Sequence, residues 1–593
     1  MTAPSDTTDI DVAEVGWNIE PLLDGGDVDA LLSVARTKVE ELLGWRGEVG
    51  SLESEELAEV MRRLAEVHDL IGRTSSYAGL AMAVDTSQGA LYQRVSEQAA
   101  QLGADLVFIQ LEWAAVDDER ADALLADPRL DFCAHYLRSA RRYRPHLLSE
   151  PEERMLTEKS VTGSAAWVRL FDQLTSDISV ELEGQQVGLE AALSALGSPD
   201  RELRRRAADA VTEGLAPGLA TRAYIFNTIA ADKATDDRLR HHDSWISARN
   251  LSNEADDESV QALVDAVVSR YDIARRWYDL KARILGHPLA DYDRMASIAQ
   301  SDREVGWREA QDLVLDSYRS FSEELASTAQ RFFDEHWIDA PVRQGKRPGA
   351  FCAYTVPSHH PYLMLNWTGR TRDVLTLAHE LGHGLHAHLS RPQGIYHQAT
   401  PLTLAETASV FGETVTFGRL LDATSDPGER LALLAESLEG SIATVFRQTA
   451  MNRFEEAVHT WRRSQGELSI EEFGSLWAQT QHDLLGESVE VTEGYRTWWS
   501  YIPHFIGSPG YVYAYAYGQL LALSVYRRYQ EQGEAFVPRY LDMLRAGGSR
   551  PPVELGRLVD CDLSDPGFWH GGLDLVEAQL QAAEDAAAAA GRI

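Results

Sequence analysis

His379-Glu380-Leu381-Gly382-His383 sets two imidazoles four residues apart, with a carboxylate beside the first. On a helix this spacing puts both rings on one face, one turn apart, where each can bring a nitrogen to about 2.0–2.1 Å from a single zinc ion. Glu380 does not compete for the metal, so its carboxylate can reach the ion's open position and deprotonate a water there. The pentapeptide therefore predicts a metal-assisted hydrolase with its own general base.

A catalytic zinc site takes three protein ligands and keeps one position free. Downstream, L-T-L-A-E-T-A-S-V-F-G-E-T-V-T-F-G-R-L-L from Leu402 to Leu421 repeats its apolar residues at helical spacing. Glu406 and Glu413 fall two turns apart on one face of that helix. Glu406 is assigned as the third ligand, and Glu413 as the acceptor that orients a ligating imidazole. Ordinary surface carboxylates would sit in a polar stripe, whereas Ala405, Ala408 and Phe411 crowd around these two.

Several elements must position this group. Val374, Leu375, Leu377, Ala378, Leu381 and Leu385 supply the apolar face of the His379 helix, with Thr371 or Asp373 to cap or charge its first turn. Gly382 lowers helix propensity by about 1 kcal/mol, which predicts the close approach of another element. Residues 349–369 read as a β-hairpin, G-A-F-C-A-Y and Y-L-M-L-N-W flanking T-V-P-S-H-H-P. An edge strand there, assigned as Tyr362, Leu363, Met364, Leu365 and Asn366, could pair with an extended peptide through its main chain. His359 and His360 read as loop residues at the hairpin tip, within reach of substrate. His386 reads as a structural hydrogen bonder. Glu455 and His459 form another pair four apart, with no third ligand nearby in sequence.

H-E-L-G-H-x-x-H followed by A-E-T-A-S-x-x-x-E resembles the oligoendopeptidase F branch of the thimet oligopeptidase family, which are zinc metallopeptidases. The resemblance extends to R-F-F-D-E-H-W-I-D-A-P-V-R-Q-G-K-R-P-G-A-F-C (Arg331 to Cys352) and Y-L-M-L-N-W-T-G (Tyr362 to Gly369). It continues through T-V-F-R-Q-T-A-M-N-R-F-E-E (Thr444 to Glu456) and H-F-I-G-S-P-G-Y-V-Y-A-Y-A-Y-G (His504 to Gly518), and more weakly into W-N-I-E-P-L-L near Trp17. It implies a mostly α, multi-helix zincin-type fold with a small β-sheet beside the zinc helix, enclosing a deep substrate channel. It also implies one Zn2+ per chain and endopeptidase action on short unfolded oligopeptides. In that family a His and one or two Tyr of the Gly-rich segment donate to the oxyanion. Four tyrosines at period two offer several registers for that match; Tyr511 and Tyr515 are favoured, with His504 as a substrate or transition-state donor and Tyr513 and Tyr517 left to aromatic packing. The tyrosines' period of two also permits a strand.

Composition narrows the alternatives. A formal net charge of −37 repels nucleic acid and anionic membranes. Three widely spaced cysteines, Cys133, Cys352 and Cys561, provide no disulfide framework and fit a reducing cytoplasm. No apolar run reaches the ~18–20 residues of a spanning helix. The expected organisation is a disordered leader (1–16), an N-terminal helical domain (17–190), a catalytic zinc-peptidase domain (191–585) and a tail (586–593). Most of the chain reads as helix, as in S-E-E-L-A-E-V-M-R-R-L after Glu53, in the stretch that follows Pro199, and in the capping box from Ser469 to Glu472. Strand signals are few, chiefly S-D-I-S-V-E-L-E near 176–183. Two other readings of the same residues stay open, a zinc exopeptidase of the same fold and a non-catalytic helical scaffold.

Overall fold

A computed structural model of the protein describes residues 12–160, 162–298 and 304–593. The fold is mostly α. Its strands, among the described residues, are β1 (Ser179–Leu182), β2 (Gln185–Gly188), β3 (Leu289–Ala290), β4 (Ile338–Pro341), β5 (Phe351–Ala353), β6 (Tyr362–Trp367) and β7 (Val489–Glu490). The chain forms two compact units, each assembled from three separate segments. No helix of the described residues is long and apolar enough to cross a membrane.

The first unit comprises Met1–Arg144, Asp302–Asp422 and Val525–Asp562. Its N-terminal part is a helical layer. The Ser54–Val84 helix starts from a capping box between Glu53 and Glu56 and buries Leu57, Val60, Met61, Leu64 and Val67 along one face. That face packs against the Val28–Leu42 and Gly89–Ala115 helices, whose Leu32, Val39, Leu102, Ile109 and Trp113 belong to the same core. Of the expected leader, residues 1–11 lie outside the described residues. The Val15 carbonyl just beyond them accepts from Ala340 N at 3.1 Å, beside β4.

The unit's sheet has the order β4-β6-β5, with β6 parallel to β4 and antiparallel to β5. The expected hairpin is thus β5 and β6. Trp17 packs edge-on against Tyr362 at 5.9 Å, and the Tyr362 hydroxyl donates to Asn18 O at 2.8 Å. The W-N-I-E-P-L-L segment therefore closes over the sheet. One expectation is corrected here. β6 is the central strand, with Ile338 and Asp339 paired to Leu363 and Met364 on one side and Phe351 to Ala353 paired to Met364 to Tyr362 on the other. Tyr362, Leu363, Met364, Leu365 and Asn366 therefore do not form an edge. The first four are buried, and Asn366 donates to the Arg347 and Gly349 carbonyls. The edge on that side is instead β5, whose three residues are only partly buried.

The second unit comprises Pro145–Ser301, Ala423–Ser524 and Leu563–Ile593. β1 falls within the strand expected near 176–183 and pairs antiparallel with β2, and β3 pairs with β7 in parallel over two residues each. The Arg201–Leu215 helix begins where Asp200 caps Glu202 N, directly after Pro199. Ser469 and Glu472 form the predicted capping box of the Ile470–Leu485 helix. A π-helical stretch, Ile442–Arg447, leads into the Gln448–Ser464 helix.

Candidate metal centre

Two helices of the first unit carry the predicted metal ligands. In the first turn of the Thr371–Ser390 helix the Asp373 carboxylate accepts from Arg370 N and Thr368 N, and the helix buries Val374, Leu377, Ala378, Leu381 and Leu385. The Leu402–Ala423 helix crosses it at very short range. A Cβ on Gly382 would lie 2.4 Å from Ala408 O and 2.6 Å from Ser409 Cα, so glycine is the price of the crossing. Gly412 has the same role one turn further along, where a Cβ would strike the Tyr318 hydroxyl and approach Ala378 O to 3.1 Å. Tyr318 fills that space and donates to Ala378 O at 2.7 Å.

The crossing brings His379, His383 and Glu406 together, with one ligand atom from each lying within 4.8 Å of the others. Glu406 Oε2 is 3.3 Å from His379 Nε2 and 3.5 Å from His383 Nε2. The two rings stand nearly perpendicular, with centroids 5.0 Å apart. Glu413 Oε2 accepts from His379 Nδ1 at 3.0 Å, which fixes that ring's tautomer and points Nε2 toward Glu406. Two imidazole nitrogens and a carboxylate oxygen are a donor set that suits a divalent ion such as zinc.

Electrostatics fit a site built to hold positive charge. Burial alone would lower the His379 imidazole, but hydrogen bonds to Glu406 and Glu413 push it up to about 10. Burial opposes ionisation of Glu406, yet hydrogen bonds from His379 and His383 hold its carboxyl far below the usual range. A divalent cation bound by this group would displace the His379 proton. Glu380 is buried on the same helix, and burial raises its carboxyl, with the two histidines opposing that rise. A raised carboxyl is what a general base working near neutral pH requires.

Sequence reasoning missed several groups here. Ser409 Oγ donates to Glu406 Oε2 at 2.7 Å and fixes that carboxylate; its i+3 spacing from Glu406 was the available signal. Cys352 on β5 is half-buried, and desolvation, helped by the Glu380 charge, pushes its thiol well up. Tyr354 just beyond β5 is likewise held protonated by burial, reinforced by the Glu406 and Glu380 carboxylates. No sequence spacing connects these residues to the helix. His386 departs from expectation, since neither ring nitrogen finds a hydrogen-bond partner among the described residues. Burial, with a contribution from His383, pushes it down to about 3, so it packs as a neutral ring. His360 stacks flat on Trp337 at 4.1 Å, and His359 Nε2 meets Pro21 O at 3.0 Å, so both rings of the hairpin tip are engaged in packing.

The aromatic segment belongs to the second unit. The tyrosines' period of two is carried by a helix, Tyr513–Gln532, entered from the Gly507–Gly510 turn. Helical geometry then pairs Tyr513 with Tyr517, while Tyr511, just ahead of the helix, meets Tyr515. Tyr513 and Tyr517 point into the core, hydrogen-bonded to Asn253 and Ser259 at 2.9 and 3.0 Å. Tyr511 and Tyr515 meet edge-to-face at 5.2 Å, and His504 joins them through a 3.2 Å contact to the Tyr515 hydroxyl.

Comparison with known proteins places these features in a wider group. The sequence profile described as Peptidase family M3 matches residues 194–573, and one described as Oligopeptidase F matches 112–179. The chain is 26% identical to oligopeptidase PepF of Bacillus subtilis, over 97% of this chain and 87% of that protein. It is 27% identical to the group B oligopeptidase PepB of Streptococcus agalactiae, over 83% of this chain and 82% of that one. The solved structure of oligoendopeptidase-F from Enterococcus faecium superposes with a TM-score of 0.72 at 22% identity, covering 94% of this chain and 98% of that one. At that identity the structural likeness speaks to the fold.

Proposed function

The chain belongs to peptidase family M3, and on that footing we propose that it hydrolyses internal peptide bonds of short, unfolded oligopeptides with one Zn2+ held by His379, His383 and Glu406. The observation that carries this reading is the convergence of those three side chains beside a buried carboxylate, on two helices that only glycine lets cross. A metal held there supplies Lewis acidity and lowers the pKa of water. Glu380 takes the proton of the attacking water and passes it to the leaving amine. Glu413 and Ser409 keep His379 Nε2 and the Glu406 carboxylate aimed at one point. His504, Tyr511 and Tyr515 donate hydrogen bonds to the oxyanion that forms as the carbonyl is attacked, which their clustering and the family's Gly-rich segment support. The open edge of β5 is the segment that pairs with the peptide main chain. Three far-apart free thiols fit a cytoplasmic location.

Digestion of a ten-residue peptide blocked at both ends, read by mass spectrometry with and without chelator, tests the reaction. Internal cleavage that the chelator abolishes is expected; release of only terminal di- or tripeptides from unblocked peptide would instead favour an exopeptidase. Glu380→Gln should retain its metal and lose about 10²–10⁴-fold in kcat. Near wild-type turnover by that variant would remove Glu380 from the mechanism.

A further inference from the structure

Glu455 has no role in the chemistry above, yet it is fully buried and reaches into the aromatic segment. It projects from the Gln448–Ser464 helix, and its Oε1 accepts from Gly510 N at 2.9 Å, across 55 residues of sequence. Gly510 sits at φ +74°, a left-handed conformation that favours glycine. A Cβ there would press on Ile246 Cδ1 at 3.0 Å and Trp245 at 3.4 Å. The turn is therefore pinned against the chain just before the Ser247–Ser252 helix on one side and tied to Glu455 on the other.

Arg249 completes the hold. Its Nε donates to Pro509 O, a long contact of 3.5 Å, and its guanidinium lies 5.9 Å from the centre of the Tyr511 ring. Tyr511 follows Gly510 directly, its N–H donates to Ser508 O at 3.1 Å, and its ring lies parallel to His504 with centroids 6.2 Å apart. Below the turn, Trp245 stacks on His459, one helical turn from Glu455, at 5.0 Å. The other carboxyl oxygen, Oε2, has no partner among the described residues, so the one hydrogen bond that Glu455 makes there goes to the turn. Burial pushes its carboxyl up to about 8, against the pull of the Gly510 N–H, Arg249 and Lys233. A carboxyl kept at that desolvation cost for one backbone contact points to a geometric role.

We propose that Glu455 is a positioning residue, which with Arg249 fixes the Gly507–Gly510 turn and thereby sets where the Tyr511 hydroxyl and His504 point. The proposal rests on the reading that these donors stabilise the transition state. It requires that loosening the turn lower kcat and leave the metal untouched, because His379, His383 and Glu406 belong to the other unit.

The test compares metal-loaded Glu455→Ala, Glu455→Gln, Arg249→Met, Tyr511→Phe and the double variant Glu455→Ala/Tyr511→Phe in kcat, KM, metal content and melting temperature. Glu455→Ala should lose about 10- to 100-fold in kcat with KM and metal content little changed, since misplacing a transition-state group by about 1 Å costs on that scale. Glu455→Gln keeps an acceptor for Gly510 and should stay within about threefold of wild type. In the Tyr511→Phe background, Glu455→Ala should cost clearly less than it does in wild type, only the share acting through His504 remaining, the signature of residues acting through one another. Multiplicative losses, or wild-type kcat in Glu455→Ala, would overturn the proposal. If Glu455→Ala does not fold, Arg249→Met decides, because it alters a half-buried side chain. A kcat loss of about fivefold or more supports the clamp, and none overturns it. Wild-type kcat in Tyr511→Phe would instead remove the donor reading, and this proposal with it.

Discussion

The metal centre and the aromatic turn reach a defined geometry by opposite routes. At the metal centre, His379 and His383 are four residues apart on one helix, and Glu406 and Glu413 seven apart on another, so helical periodicity aims each pair before any tertiary contact forms. At the aromatic turn no repeat does this. Tyr511 lies outside its helix, and its orientation depends on Gly510, Glu455 and Arg249, which come from three separate parts of the chain. A site built on helix periodicity is robust in register and vulnerable where the helices touch. A site built on a turn is vulnerable wherever a distant side chain holds it.

The two glycines separate these cases most sharply. At Gly382 a methyl group would meet backbone of the opposite helix at 2.4 Å, and backbone cannot swing aside. Gly382→Ala should force the helices apart, weaken metal binding by about 100-fold or more, and cost about 1–3 kcal/mol or more of stability. At Gly510 the obstacles are side-chain atoms, the nearest at 3.0 Å, together with the left-handed φ. Gly510→Ala should therefore lower kcat while metal affinity, measured by competition with a chromophoric chelator, stays at wild type. Equal metal affinity in all three proteins would show that the helix crossing does not set the ligand geometry.

The same contrast explains what the amino-acid sequence made legible. The grouping of His379, His383 and Glu406, the Ser469 capping box, the helix after Pro199 and the hairpin around 351–367 all follow from local spacing, and the structure shows these features. The approach to Gly382 was foreshadowed by a glycine inside a helix, although nothing local identified Ala408 as the neighbour or Gly412 as the matching gap. The strand nature of 362–367 was legible and its place in the sheet was not, because β4 pairs with β6 in parallel across a connection that no hairpin rule describes. The tyrosine run misleads for a related reason: a period of two in identity says nothing of the backbone, and a helix sorts the same residues by fours. Assembly of each unit from three separate segments is likewise invisible to a linear scan.

Removing Glu413 sharpens the comparison at a smaller scale. Glu413 touches His379 Nδ1 and none of the other predicted ligands, so its loss frees one ring while the helix still aims it. Glu413→Ala should weaken metal binding by about 10–100-fold, less than Gly382→Ala, with the fold intact. Unchanged affinity would mean that helix periodicity alone orients His379.

A last contrast concerns protons buried beneath the aromatic turn. His459 is pushed down to about 3, by burial first and then by Lys233 and Arg463, from an ordinary value of 6.5. Glu455, four residues earlier on the same helix, is pushed up to about 8 from 4.5. A lowered histidine is protonated more readily when unfolded, so its contribution is lost as pH falls from 6.5 toward 3. A raised carboxyl is protonated more readily when folded, so its contribution is lost as pH rises from 4.5 toward 8. Wild type should therefore lose stability relative to His459→Leu on the acid side, and relative to Glu455→Gln on the alkaline side. Each limb approaches about 1.4 kcal/mol per pH unit at most. Between pH 4.5 and 6.5 the two effects cancel, because the unfolded chain carries that proton on His459 and the folded one carries it on Glu455. Melting temperatures of the three proteins from pH 4 to 8.5 measure this. A wild-type-minus-Glu455→Gln difference that stays flat between 4.5 and 8 would show that the carboxyl tethering Gly510 is ionised in the folded protein, and that the turn is held by a charge.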